Sequence, residues 1–154
     1  MMIECTTLTG GKKLVPKEKL VFRPAAYGVI LDGRKILLMK TKSTGKYWTP
    51  GGGIDLGESI HDALIREIKE ETGVEIEIQK LLKFDESFFY YEPKDEAYHS
   101  YSFFYLCEAK TTKLLKDHEV DPNDESEKPR WVNLDTVKKE DMQTGAEGIL
   151  SLIR

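Results

Sequence analysis

Three closely spaced glutamates are the residues of this sequence best suited to chemistry. Glu67, Glu70 and Glu71 lie in a stretch with helical periodicity, and at about 100° per residue they fall on one helix face. Carboxylates crowded in this way repel one another unless a cation lies among them. Mg²⁺ prefers a few carboxylate oxygens and completes its shell with water and substrate phosphate. The spacing therefore indicates a partly built metal site that a phosphorylated ligand would complete.

A solvated acidic face is the alternative interpretation of these glutamates. In that case Arg66 and Lys69 would pair with them along the helix surface, as is common in Glu-rich helices. Three glycines, residues 51–53, precede the helix and would let backbone approach a ligand closely. The spacing of the glutamates alone does not decide between the two interpretations.

The segment from Gly52 to Val74, GGIDLGESIHDALIREIKEETGV, resembles the signature of the MutT-like Nudix hydrolase family. That signature is G-x5-E-x7-R-E-U-x-E-E-x-G-U, where U is aliphatic, and it is complete here. The matching positions are Gly52, Glu58, Arg66, Glu67, Ile68, Glu70, Glu71, Gly73 and Val74. The preceding Trp48-x-Pro50-Gly51-Gly52 and a later Trp131 are also similar to the family, so the resemblance covers roughly residues 25–135.

The resemblance implies an α/β fold, with a mixed β-sheet sandwiched between α-helices, and attack by water on a phosphoanhydride bond. Glu70 and Glu71 would be the main ligands of Mg²⁺, for which Mn²⁺ can substitute. Glu67 would be a third ligand or would orient the attacking water. Gly52 would offer its backbone carbonyl to the same ion. Glu58 and Arg66 would form an ion pair that fixes the loop against the helix.

The general base and the substrate contacts are less constrained by the pattern. The general base varies in position within the family, so several acidic residues are candidates. Glu127, four residues before Trp131, is preferred. Glu119 and Glu125 in the same acidic loop are alternatives, and Glu86 is a weaker one. Arg23 and Lys46 could hold phosphates. Tyr27 could stack on a base, since aromatic faces suit nucleobases, and core packing is the alternative for this residue.

The elements that must position these residues can be predicted from local patterns. Asp32-Gly33 between two apolar runs predicts a hairpin turn. A helix is predicted over residues 59–72, with Ser59 as its N-cap and Gly73 at its C-terminus. Ile60, Leu64 and Ile68 would form its buried stripe. Strands are predicted over residues 3–8, 74–78, 88–91 and 98–107 and at Trp131, and helical segments from Leu134 and from Ala146.

The overall composition indicates one globular domain, residues 1–154, with an ordinary hydrophobic fraction of 40%. A net charge of −4 argues against a nucleic-acid polymer as partner. Two cysteines are too few for a disulfide framework, so a reducing cytoplasm is expected. No apolar run approaches the roughly 18 residues that cross a bilayer, so no membrane partner is expected. The family resemblance adds a homodimer as an expectation.

Three functions from different classes remain open. The first is hydrolysis of a small nucleotide: a nucleoside triphosphate or oxidised nucleotide by preference, with ADP-ribose or a dinucleoside polyphosphate as the alternative. The second is a module that senses a nucleotide without cutting it, although such modules usually lose the carboxylates that are present here. The third is an isoprenyl-diphosphate isomerase, which is disfavoured because neither Cys5 nor Cys107 lies in a matching context.

Overall fold

The computed structural model describes residues 1–116, 126 and 128–154. The strands are β1 Met2–Thr6, β2 Lys12–Pro16, β3 Leu20–Asp32, β4 Lys35–Lys40, β5 Tyr47–Trp48, β6 Gly51–Gly53, β7 Ile76–Tyr91, β8 Glu96–Ala109 and β9 Arg130–Asn133. The α-helices are α1 Ile60–Thr72 and α2 Ile149–Ile153. Within these described ranges, no helix combines the length and the apolar character needed to cross a membrane.

The strands form one mixed sheet, which confirms the predicted fold class. Its strand order is β2-β1-β7-β8-β3-β4-β5, with β6 paired to β3 and β9 paired to β4. β3 runs parallel to β8 and β1 runs parallel to β7, whereas the other pairs are antiparallel. The long parallel pairing places β3 in the middle of the molecule, where both faces of the strand can be covered.

One face of β3 packs against α1, and we call it the helix face. Ala26 and Ile30 are fully buried there against Leu64 and Ile68 of the helix. Gly28 lies between them, and a Cβ at this position would come within 2.6 Å of the Ile68 Cδ1 atom. The helix axis can therefore approach the sheet closely because the strand has no side chain at residue 28.

The opposite face of β3 packs against the C-terminal part of the chain, and we call it the C-terminal face. Tyr27 and Val29 are buried there with Phe104 of β8. The C-terminal residues in the same core are Leu134, Val137, Met142, Ala146, Ile149 and Leu150. Most of them lie outside regular helix, so this layer is built mainly from turns that carry apolar side chains.

Four local predictions need correction. The predicted hairpin exists, but Asp32 pairs with Lys35, so the turn residues are Gly33 and Arg34. The strands predicted over residues 74–78 and 88–91 are one continuous strand, β7, which bends at two register shifts in its pairing with β8. The helix predicted from Leu134 is wrong: this segment forms turns and a short 3₁₀ helix at Lys139–Asp141. The segment predicted as helical from Ala146 becomes α-helical only at Ile149.

The glycine strand β6 generates a stability prediction. Gly51 has φ +145°, and an added Cβ would collide with the Ala26 carbonyl and come within 2.6 Å of the Tyr27 Cα atom. We expect Gly51→Ala to lower the free energy of unfolding by about 2–3 kcal/mol. The reason is that the contacted Ala26 and Tyr27 atoms are backbone atoms of the central strand β3, which cannot move aside. Gly53→Ala is the matched control, because no heavy atom lies within 4 Å of its added Cβ. Urea unfolding measures both, and equal losses would contradict this account of β6.

Candidate active site

The capping of α1 fixes where its acidic face points. The Ser59 hydroxyl accepts a hydrogen bond from the Asp62 backbone N–H at 3.1 Å, as predicted for the N-cap. Gly73 ends the helix with φ +81°, a left-handed conformation that favours glycine. The buried stripe consists of Ala63, Leu64, Ile68 and Thr72, whereas Ile60 is only half-buried. This stripe seats the helix on the sheet and turns the glutamates toward β6.

Arg66 donates hydrogen bonds to several groups on the loop and on the helix. Its guanidinium donates to both oxygens of Glu58, at 2.7 and 2.9 Å, and to the Gly53 carbonyl at 3.3 Å. It also donates to Glu67 at 3.0 Å and to Glu70 at 3.2 Å. Arg66 lowers the pKa of Glu58 to about 2, with help from the Asp55 backbone N–H. The supporting ion pair expected between Glu58 and Arg66 is therefore present, and Arg66 also joins two of the predicted ligands.

The glycine strand lies directly against two of the predicted metal ligands. A Cβ on Gly52 would come within 2.6 Å of the Glu67 Oε2 atom, so a side chain at this position would displace the carboxylate from where it lies. The Gly51 N–H donates to the Glu71 Oε2 atom at 3.1 Å. Burial is the main cause that raises the pKa of the half-buried Glu67, and its hydrogen bond from Arg66 opposes that effect. Glu67 and Glu71 thus flank one short stretch of backbone.

The donor chemistry at this place fits a hard divalent cation. Glu67 lies against Gly52, Glu71 accepts from the Gly51 N–H, and Glu70 is linked to Glu67 through Arg66, and oxygen-only donor sets of this kind suit Mg²⁺ or Mn²⁺. In the described ranges, however, no three acidic, histidine or cysteine side chains are close enough to hold an ion as they stand. The reason is visible in the contacts, because Glu67 and Glu70 are bonded to Arg66 and Glu71 is bonded to Gly51. A bound cation would have to exchange for part of these bonds.

Of the predicted substrate contacts, Arg23 and Tyr27 are joined by a hydrogen bond, whereas Lys46 has a different partner. The Arg23 guanidinium donates to the Tyr27 hydroxyl at 2.9 Å on the C-terminal face of β3. Tyr27, followed by the carboxylates of Glu67 and Glu71, raises the pKa of Arg23 above its ordinary value. Arg23 therefore carries a firm positive charge beside the glutamates. The Lys46 amine instead donates to the Glu140 carbonyl at 2.5 Å, which ties its loop to the C-terminal segment.

The candidate general bases are not joined to this cluster by any described contact. Glu127, Glu119 and Glu125 lie outside the described residues. Glu86 is paired with the His99 imidazole at 2.7 Å on the helix face of the sheet. The base thus stays a prediction.

Sequence reasoning missed Gln143, a buried polar residue whose backbone is bonded to the loop before the glycine strand. Its side-chain amide donates to the Leu8 carbonyl and accepts from the Thr44 hydroxyl at 2.7 Å. Its backbone N–H donates to the Tyr47 carbonyl at 2.7 Å. Gln143 therefore anchors the loop that leads into Trp48 and β6. No local pattern in the sequence could indicate this, because its partners are far away along the chain.

Comparison with known proteins places these features in context. The model of the NUDIX domain family matches residues 21–153. An ADP-ribose pyrophosphatase of Methanocaldococcus jannaschii is 40% identical over 76 residues, which are 46% of this chain and 45% of that protein. A putative 8-oxo-dGTP diphosphatase of Bacillus subtilis is 41% identical over 54 residues, which are 34% of this chain and 36% of that protein. These matches thus span less than half the length of both relatives.

A solved structure extends the similarity over nearly the whole fold. The crystal structure of a MutT NUDIX hydrolase from Burkholderia pseudomallei superposes with a TM-score of 0.67 and 27% sequence identity. The match covers 87% of this chain and 99% of that chain.

The pair between Glu58 and Arg66 generates a pH prediction. Because the pKa of Glu58 falls to about 2 from 4.5, the folded state keeps this carboxylate ionised at pH values where the unfolded chain protonates it. Its contribution to stability is therefore complete above pH 4.5 and is lost as the pH falls toward about 2. We expect Glu58→Gln to be less stable than the wild type at pH 7, by a margin that shrinks below pH 4.5. Urea unfolding across pH 7 to 3 measures the margin.

The control for this prediction is Glu77→Gln, at an exposed position of β7. Its stability difference from the wild type at pH 7 should be small, since no described hydrogen bond or ion pair is lost with the charge. A margin for Glu58→Gln that is constant from pH 7 to 3 would refute the electrostatic origin of this stabilisation.

Proposed function

This chain belongs to the Nudix family, and from that premise we propose that it hydrolyses diphosphate linkages in nucleotide derivatives. The observation that carries the proposal is the contact of Glu67 and Glu71 with the glycine strand, with Glu70 held beside them through Arg66. A solvated acidic face would pair with Arg66 as well, but it would not need two of its glutamates to lie against the glycine strand. The same residues fit a metal-assisted attack on phosphorus.

The proposed roles follow from these contacts. Glu67, Glu70, Glu71 and the Gly52 carbonyl would hold Mg²⁺, or Mn²⁺ in its place. When bound, such an ion lowers the pKa of coordinated water and neutralises charge on the phosphate oxygens. Glu58 fixes Arg66, and Arg66 fixes the spacing of Glu67 and Glu70. Glu127 remains our proposed general base.

Arg23 is proposed as the phosphate contact of the chain. Its guanidinium is positive, lies beside the carboxylate cluster and has donors beyond the one that Tyr27 uses. Tyr27 is 8% exposed and packs on Phe104, with ring centroids 5.3 Å apart, so it positions Arg23 rather than offering a ring to a base. We assign Lys46 to the support of its own loop.

A nucleoside triphosphate or an oxidised nucleotide is the substrate class that we prefer. The similarity to the putative 8-oxo-dGTP diphosphatase supports it. ADP-ribose or a dinucleoside polyphosphate is the alternative, which the similarity to the ADP-ribose pyrophosphatase favours. Both cysteines are free thiols, which supports a reducing, cytoplasmic location. A homodimer stays a prediction, and sedimentation equilibrium would test it.

Metal-dependent hydrolysis is the prediction to test. Purified protein with Mg²⁺ or Mn²⁺ is incubated with nucleoside triphosphates, oxidised dGTP, ADP-ribose and dinucleoside polyphosphates, and the products are separated by chromatography. We expect activity on one class, abolished by chelator. Glu71→Gln should lower kcat by about 100-fold or more, since it keeps an acceptor for the Gly51 N–H and removes the charge.

The matched control is Glu77→Gln, which removes one charge from an exposed position of β7 and should leave kcat unchanged. If no substrate is cut while a nucleotide still binds, and binding is unaffected by Glu71→Gln, the hydrolase proposal fails and the nucleotide-sensing module replaces it.

A further inference from the structure

The C-terminal face of the sheet changes character next to Tyr27 and Phe104. Where these two rings pack, the face is apolar and covered. The next two rows of neighbouring positions across β3, β8 and β7 are largely polar, and we call them the polar rows. One row is Arg23, Ser100 and Ser87, and the other is Ala25, Ser102 and Asp85. Because alternate residues of a strand share a face, all six positions lie on the same side as Tyr27.

Ser100 points to a ligand in the polar rows. It is only 6% exposed, and its hydroxyl makes no hydrogen bond to any residue that the structure describes. The neighbouring Ser102, which is half-buried, has no such side-chain bond either. The Ser100 hydroxyl is not one of the fully buried unpaired polar atoms of the described residues, so it is reachable from the surface of this face and can donate to or accept from a ligand there. Two such hydroxyls side by side in the middle of a sheet face are suited to the hydroxyl groups of a sugar.

The two ends of the polar rows carry side chains of opposite charge. Arg23, at the β3 end, is positive and lies beside Glu67 and Glu71. Asp85, at the β7 end, is paired with the Lys83 amine at 2.8 Å, and its side chain is 44% exposed. Two strand spacings and two residues along the strand separate Arg23 from Asp85, or about 12 Å between their Cα atoms. That span suits an extended nucleotide whose phosphate lies at Arg23.

The pair of Lys83 and Asp85 presents one donor beside two acceptors. Guanine presents the complementary pattern on its Watson–Crick edge: the O6 acceptor, then the N1–H donor, then the 2-amino donor. Adenine offers only its 6-amino donor and the N1 acceptor, so one carboxylate oxygen of Asp85 would face a C–H group. Lys83 is held in place by the Phe104 ring, with its amine 5.3 Å from the ring centroid.

We propose that the polar rows bind the nucleoside part of the substrate and that Asp85, with Lys83, selects guanine. The inference rests on the proposed function, since it places the phosphates at Arg23 beside the carboxylate cluster. Ser100 and Ser102 lie under the sugar, and Asp85 accepts from the N1–H and 2-amino groups of the base. Asp85 is thus a residue that determines specificity, separate from the groups that cut the bond.

The test is Asp85→Asn, which turns one of the two acceptors into a donor and keeps the side-chain shape. For the wild type we expect kcat/KM for dGTP to exceed that for dATP by about tenfold or more. In the variant, the value for dGTP should fall about tenfold, with dATP changed by less than about twofold. Glu96→Gln, at an exposed position of β8, is the matched control and should alter neither. Circular dichroism and Tm verify that both variants fold.

A second readout separates this inference from the hydrolase proposal. Titration calorimetry with GDP and ADP, in chelator, measures binding without turnover. Weaker GDP binding in Asp85→Asn, with ADP binding unchanged, supports the guanine site even if the wild type cuts no nucleotide. Equal treatment of guanine and adenine by the wild type, or an equal loss for both in Asp85→Asn, would overturn guanine selection and leave the hydrolase proposal standing.

Discussion

The hydrogen bonds of Arg66 are the interaction on which the rest of the site depends. One guanidinium joins the loop before α1, through Glu58 and the Gly53 carbonyl, to Glu67 and Glu70 on the helix itself. Without it, the carboxylates would repel one another, and the loop would lose the hydrogen bonds that connect Glu58 and the Gly53 carbonyl to the helix. Because the planar guanidinium has five donors in a rigid geometry, a lysine could not make this set of contacts. The same side chain therefore connects a residue that fixes the loop, Glu58, with two proposed metal ligands, Glu67 and Glu70.

The close approach of helix and sheet is the second constraint, and glycine residues at the points of contact make it possible. Ile68 reaches β3 at Gly28, and Glu67 reaches β6 at Gly52. Neither glycine places a Cβ in the way, so α1 can bring its acidic face close to β6. The opposite face of β3 is then left for the C-terminal layer and for the polar rows. One central strand therefore separates the groups proposed for bond cleavage from those proposed for base recognition.

Local patterns predicted the parts of the structure that local physics decides. Ser59 and Gly73 bound α1 as expected, because capping depends on neighbours within a few residues. The predicted helix from Leu134 failed because its apolar residues reach the core from turns. The hydrogen bond of Lys46 was also beyond local reasoning, since its partner is the distant carbonyl of Glu140. Likewise, the pairing of Arg23 with Tyr27 is local, but their position beside Glu67 follows only from the tertiary fold.

The charge balance of the cluster supports a cation beside α1 independently of any sequence signature. Five carboxylates, on Asp55, Glu58, Glu67, Glu70 and Glu71, surround the guanidiniums of Arg66 and Arg23. Among these described residues the carboxylates outnumber the guanidiniums, and burial is the main cause that raises the pKa of the half-buried Glu67. A phosphate substrate would bring further negative charge to the same region. A divalent cation held by Glu67, Glu70 and Glu71 would reverse the local sign where the phosphate must bind, and the remaining donors of Arg23 could contact the same phosphate.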